Sequence, residues 1–312
     1  MNIGIVGPGR VAARFAKSIN SMPNATLFGV CGRTATTVED FINKTDSDQS
    51  CIQSINFDEF IQNDLLDIII IATPDNMHTE LVLKALQFNK QLLIEKPLCT
   101  SLEEAENIMA AARNSTSTIA LGYHLRWHAG LRLLKQKLQT LNSNEIYHID
   151  LNWGHTFIQE AKWRQNSGLW WCMTTLGTHC IDIIRWYFVP ICGEVDDLNI
   201  ISSNAKFNTT DETLMMTMRF KNGTTANINC SILLNEPFSL RIHTEKGLIY
   251  ADDMMGLPAN RKIVFYDEVL PFNCDNDLYS DEINDLMRAI QENSEPEVTL
   301  SDGYKNMCNM YG

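Results

Sequence analysis

Four consecutive isoleucines, Ile68–Ile71, restrict most tightly what this chain can fold into. An unbroken β-branched run belongs to a strand buried on both faces, which is how a parallel sheet behaves when helices cover each side. The flanking pattern agrees. Strand-like stretches at Asn2–Val6, Thr26–Cys31, 67–72, Gln91–Glu95 and 118–122, with a weaker one at 51–55, alternate with helical periodicities. Val11, Phe15 and Ile19 recur at i, i+4 and i+8, and Leu81, Val82, Ala85 and Leu86 form a second apolar stripe. Ser101 three residues before Glu104 is a capping box that opens a helix carrying Ala105 and Ile108. Strands alternating with helices at this spacing predict a doubly wound parallel sheet over 1–122.

Beyond a predicted helix at 126–141 the period changes from 3.6 to 2. Leu214, Met216, Met218 and Phe220 alternate, Lys221-Asn222-Gly223 turns the chain, and Ala226, Ile228, Cys230 and Ile232 alternate again. Asn-Gly between two such runs signals a hairpin. Further strands are predicted at 145–154, 198–203, Ser239–Thr244 and 262–266, with a late helix at 280–293. Residues 123–312 therefore read as a second, α+β domain on a large, mostly antiparallel open sheet.

Charge and cysteine usage exclude several classes of function. Thirty-eight Asp and Glu against 25 Lys and Arg give a net charge of −13, which argues against a surface built to grip nucleic acid phosphates or acidic lipid but leaves room for a local basic pocket. The most apolar stretch, 65–72, is interrupted by Asp67 and falls far short of the ~18–20 residues of a membrane span. With no basic segment before the first strand, a cytoplasmic location is expected. The nine cysteines form no C-x-x-C pair and read as reduced, mostly buried thiols, so no metal site is expected.

Gly7-Pro8-Gly9-Arg10-Val11-Ala12 follows the first strand and opens the first helix. Glycine at 7 permits a tight turn. Glycine at 9 lets a pyrophosphate approach the backbone, where the helix N-terminus offers N–H groups and partial positive charge. Where dinucleotide sites for NAD usually place an acid after the second strand, this chain reads Cys31-Gly32-Arg33-Thr34. Arg33 and Thr34 suit a 2′-phosphate, which favours NADP, with NAD as the alternative.

Glu95-Lys96-Pro97 and Thr73-Pro74-Asp75-Asn76-Met77-His78 follow neighbouring strands at the carboxyl edge of the same sheet. Together with the glycine turn, Gly122-Tyr123-His124-Leu125-Arg126-Trp127 and Gly177-Thr178-His179-Cys180-Ile181-Asp182, they resemble the glucose–fructose oxidoreductase / inositol dehydrogenase / MocA family over nearly the whole chain. The resemblance implies hydride transfer between a nicotinamide and a hydroxyl-bearing carbon of a sugar or cyclic polyol. It also implies a homo-oligomer, a dimer or tetramer, formed through the second sheet. Lys96 matches the family's catalytic lysine, a cation for a developing alkoxide. His179 matches its acid/base histidine.

Thr175, His179 and Asp182 fall at i, i+4 and i+7 of a predicted helix and share one face, with Asp182 expected to orient the imidazole. The family's usual aspartate four residues before this histidine is here Thr175. That departure keeps open a dinucleotide-binding sensor or regulator of impaired catalysis. Cofactor contacts are expected from Gly7, Gly9, Arg10, Val11, Arg33, Thr34, Thr73, Pro74, Asn76, His78, Glu95, Lys96 and His124. Substrate contacts are expected from Tyr123, Arg126, Trp163, Arg164, Trp170 and Trp171. Tryptophans concentrated in this part of the chain also suit a flat conjugated ligand, a third reading.

Overall fold

Folding the alternating pattern into three dimensions gives a chain of two compact units, Met1–His124 with Asp277–Tyr311, and Leu125–Asn276. The computed structural model describes residues 1–156, 164 and 169–311.

In the first unit, β1 (Asn2–Val6), β2 (Thr26–Cys31), β3 (Ile52–Ser54), β4 (Ile68–Ile71), β5 (Gln91–Glu95) and β6 (Ile119–Gly122) form one parallel sheet in the order β3-β2-β1-β4-β5-β6. The order reverses beside β1, which puts the topological switch point, where such sheets bind ligands, at the carboxyl ends of β1 and β4. The isoleucine run of β4 is closed to solvent on both faces, as its composition requires. Helices α1 (Arg10–Ser21), α2 (Ala35–Lys44), α3 (Phe57–Ile61), α4 (His78–Gln87) and α5 (Leu102–Ala112) fill the crossovers. Ser101 caps α5 by accepting the Glu104 N–H over 3.2 Å. The Glu104 carboxylate in turn accepts the Thr100 N–H over 2.8 Å.

The second unit holds β7 (Ile146–Gly154), β8 (Val195–Ser203), β9 (Thr213–Phe220), β10 (Thr225–Ser231), β11 (Ser239–Thr244), β12 (Gly247–Asp252), β13 (Lys262–Phe265) and β14 (Glu268–Val269). They form one sheet in the order β14-β13-β12-β11-β7-β10-β9-β8, antiparallel except where β7 meets β10. The period-2 hairpin forms with Met218 opposite Ala226. Gly223 takes φ +93° in its turn, a region that suits glycine. Leu214, Met216, Met218 and Phe220 face inward, while Met215, Thr217 and Arg219 face out. The predicted helix at 126–141 is shorter: His128 is extended and caps α6 (Ala129–Leu138), its Nδ1 accepting the Leu131 N–H over 3.3 Å. A π-helical turn, Met173–Gly177, leads into α7 (Thr178–Cys192).

The sequence placed everything after 122 in the second domain, whereas the chain returns to the first unit at Asp277. The late helix, α8 (Leu278–Glu292), lays Tyr279, Ile283, Leu286 and Met287 into the same apolar core as Phe15 and Ile19 of α1. A further helix, α9 (Leu300–Tyr311), which the periodicity did not reveal, packs on α5 and β6. No helix among the described residues is long and apolar enough to cross a membrane.

Candidate active site

The glycine corner is built as its sequence demands. Gly7 sits at φ +88°, and a Cβ there would come within 2.7 Å of Thr73 Cγ2 and 2.8 Å of Thr73 Cα. Side chains are excluded at 7 both by conformation and by the loop after β4. At Gly9, the N-cap of α1, a Cβ would meet nothing nearer than 3.9 Å, so the space over this residue is open. The first turn of α1 carries no acidic residue. A turn that only glycine can make, open space above it and an uncountered helix N-terminus fit a pyrophosphate. Arg10 is exposed and Val11 half-buried at the start of the helix. Arg33 is exposed after β2, and Thr34 caps α2 by accepting the Thr37 N–H over 3.2 Å.

At the neighbouring edge, Pro74 and Asn76 are exposed and Thr73 closes on Gly7. His78 differs from its expected place at the cofactor. It is buried, with Nδ1 2.9 Å from the Pro97 carbonyl oxygen and Nε2 3.0 Å from that of Thr73. The ring sits between the loop after β4 and the loop after β5, and burial holds it below its ordinary protonation range, so its single N–H donates to one of the two carbonyls. What the His-bearing motif supplies is a staple under the Glu95-Lys96-Pro97 corner.

Lys96 is half-buried at the end of β5. Glu95 is buried, its Oε2 accepting the Lys96 backbone N–H over 3.2 Å. Gly122 makes room for this side chain, since a Cβ there would lie 3.3 Å from Glu95 Oε1. Burial pushes the Glu95 carboxyl up to about 7, against the pull of Lys96 and Arg14. His124, half-buried, stacks on Tyr279 at 5.1 Å, and burial with the Lys96 and Arg14 charges pushes it down to about 3. It is a neutral imidazole at physiological pH. Tyr123 is wholly buried.

In the second unit His179 is 5% exposed and faces the Trp153 indole at 6.2 Å between ring centres. Thr175 lies inside the π-helical turn, so the i, i+4, i+7 face of a regular helix does not run through it. Asp182 binds Arg126 at both carboxylate oxygens, over 2.6 and 2.9 Å, with both side chains buried. The Asp182 carboxylate, expected to orient His179, holds Arg126, the residue expected at the substrate, whose guanidinium also lies over the Trp186 ring at 5.8 Å. Arg164 donates to the Trp170 carbonyl over 3.0 Å and to Thr174 Oγ1 over 3.1 Å. Trp170 is 37% exposed, whereas Trp171 is buried against Phe207. Trp163 lies outside the described residues.

Sequence reasoning missed four residues of these surroundings. Asp211, buried, accepts the N–H groups of Trp171, Cys172 and Met173 and so anchors the turn that leads to His179. Arg14, Tyr279 and Glu282 close around Glu95 and His124, the last two arriving on α8 from far along the chain. All nine cysteines are unbridged, and the described residues hold no cluster of three or more metal-ligating side chains.

Two family models match. "Oxidoreductase family, NAD-binding Rossmann fold" covers 1–123, and "GFO/IDH/MocA C-terminal domain" covers 131–250. Glucose-6-phosphate 3-dehydrogenase of Bacillus subtilis is 30% identical over 68% of this chain, and the match spans 59% of that enzyme's length. Myo-inositol 2-dehydrogenase of Thermotoga maritima is 20% identical over 97% of this chain and 92% of its own. The crystal structure of aldose-aldose oxidoreductase from Caulobacter crescentus superposes with a TM-score of 0.85 at 19% identity, covering 99% of this chain and 94% of that one.

Proposed function

Because the chain belongs to the Gfo/Idh/MocA oxidoreductase family, we propose that it moves a hydride between a nicotinamide dinucleotide and a hydroxyl-bearing carbon of a sugar-like or cyclic polyol. The observation that carries this reading is the pairing of the open glycine corner at Gly9 with Lys96 on the same carboxyl edge of one sheet. A bound nicotinamide supplies a carbon that accepts or gives up hydride. The chain's residues supply the rest. The first turn of α1 holds the pyrophosphate and fixes where the dinucleotide lies. Arg33 and the capped N-terminus of α2 hold a 2′-phosphate, so NADP is the preferred coenzyme. Lys96 presents an ammonium to the substrate oxygen and stabilises charge that develops there. His179 takes the hydroxyl proton on oxidation and returns it on reduction. Thr175, four positions before that histidine, offers a hydroxyl without charge. Trp170 and Arg164 are proposed substrate contacts, a flat apolar surface and a cation.

We place the protein in the cytoplasm, as a homo-oligomer that buries the outward sheet face of its second unit, where Ile201, Met215 and Leu248 are exposed.

The test is turnover of NADPH or NADP with sugars, sugar phosphates and cyclitols, alongside direct measurement of dinucleotide binding. Lys96→Met should keep the dinucleotide and lose about 10²–10³ in kcat. Undiminished turnover, or no binding of either coenzyme at millimolar concentration, would overturn the reading.

A further inference from the structure

The first unit buries a second carboxyl for which the proposed reaction has no use. Glu282, on α8, is 2% exposed, and neither of its side-chain oxygens has a hydrogen-bond partner among the described residues. Glu95 Oε1 is likewise buried and without such a partner. The two belong together: α8 packs on β5 and β6, and the two carboxyls act electrostatically on each other. Around them stand Lys96 beside Glu95 in the chain, Arg14 from α1, His124 after β6, and Tyr279 and Asp285 from α8 itself.

Two carboxylates in such a place cannot both ionise cheaply. Desolvation penalises each charge and each charge penalises the other, so one proton stays with the pair. The neighbours do not remove the conflict. His124 is held neutral, and burial pushes the Tyr279 hydroxyl well above its ordinary range, so it stays protonated. The two cations, Lys96 and Arg14, act on Glu95, whereas the charges that act on Glu282 among the described residues are those of further acids, Glu95 and Asp285. The asymmetry gives each member a separate place. Glu95 ionises first, near neutrality, and Glu282 keeps the proton.

We propose that Glu95 and Glu282 form one proton-holding pair, in which Glu282 keeps its proton and leaves Glu95, beside Lys96, as the member that changes charge. The proposal rests on the oxidoreductase reading for its consequence, because only there does the charge beside Lys96 matter. Its structural content is independent of substrate. Replacing a buried acid of this kind by its amide keeps the shape and removes the proton that titrates.

Infrared difference spectra of the protein without dinucleotide, recorded across the pH range, count protonated carboxyls directly. The wild type should show two buried carboxyls that ionise in separate steps, the lower near neutrality. Glu282→Gln should lose the upper step and keep the lower. Glu95→Gln should lose the lower step and move the upper one down by about one pH unit or more, because coupled sites shift together. Glu95→Gln also guards against a Glu282→Gln chain that does not fold, since its spectra alone test the coupling. The pair is overturned if the wild type has no protonated carboxyl left at about pH 6, or if either variant keeps both steps unmoved. In kinetics, the limb near neutrality in the pH profile of kcat/KM should vanish in Glu95→Gln. A titrating pair in a protein that turns over no substrate refutes the oxidoreductase reading alone. Turnover from a protein with two bare carboxylates refutes the pair alone.

Discussion

Arg126 grips Asp182 at two points, Nε donating over 2.9 Å and Nη2 over 2.6 Å, with both side chains all but closed to solvent. A buried ion pair adds little over a well-packed apolar pair, but breaking one leaves a stranded charge. Arg126→Met should therefore destabilise the second unit by about 3–5 kcal/mol, and Arg126→Met with Asp182→Leu should recover most of it. Equilibrium urea unfolding of the two single variants and the double completes the cycle. Losses that simply add would show that the pair does not matter as a pair.

The two glycines of the first turn should behave oppositely. Gly7→Ala forces a side chain into a positive φ and against Thr73, and is expected to cost about 1–3 kcal/mol of stability. Gly9→Ala has room for its methyl group and should leave stability within about 0.5 kcal/mol, yet weaken dinucleotide binding at least tenfold. Thermal melts and fluorescence titration separate the two effects. A Gly9→Ala protein that binds as tightly as its parent would place the pyrophosphate elsewhere.

Local patterns announced the elements that local patterns determine. The isoleucines of β4, the alternation on β9 and β10 and the cap at Ser101 all report their own burial or hydrogen bonding, so their elements were legible. What escaped was set by residues distant in the chain. Nothing near Glu95 says that Glu282 will be packed beside it, and nothing near Asp182 says that its carboxylate will hold Arg126. Helical spacing misplaced Thr175 for a different reason: a π-helical turn is a local departure held by the buried Asp211 carboxylate, some forty positions on. His78 was read by its motif as a cofactor contact, and its two carbonyl neighbours belong to loops after different strands.

The proposed preference for NADP rests on one exposed cation. Arg33 follows β2 where no acid stands, so Arg33→Ala should raise the Kd for NADPH about tenfold, or about 1.4 kcal/mol, and leave that for NADH nearly unchanged. Calorimetric titration with both coenzymes checks it. An equal loss for the two would mean that Arg33 holds the common part of the dinucleotide, and a loss for neither that it is only a solvated loop cation.

His128 supplies a pH dependence whose sign follows from its burial. The ring is 4% exposed, and burial with the Arg261 charge holds it down to about 4, against 6.5 for an ordinary histidine. Between those values the unfolded chain binds the extra proton, so the stabilisation is complete above 6.5 and is lost as pH falls towards 4. One histidine contributes a limiting slope of about 1.4 kcal/mol per pH unit. Glu95, raised to about 7, acts in the opposite sense in the first unit, where stability falls as pH rises from 4.5. The two are separable because every tryptophan in the sequence lies between 127 and 186, in the second unit's part of the chain. Tryptophan fluorescence during urea unfolding, taken from about pH 7 to about pH 4.5, should show the second unit weakening with acid. His128→Asn keeps an oxygen able to cap α6 but cannot protonate, so its curve should lose one proton's worth of slope. Parallel curves for parent and variant would mean that His128 titrates as an ordinary histidine in the folded chain.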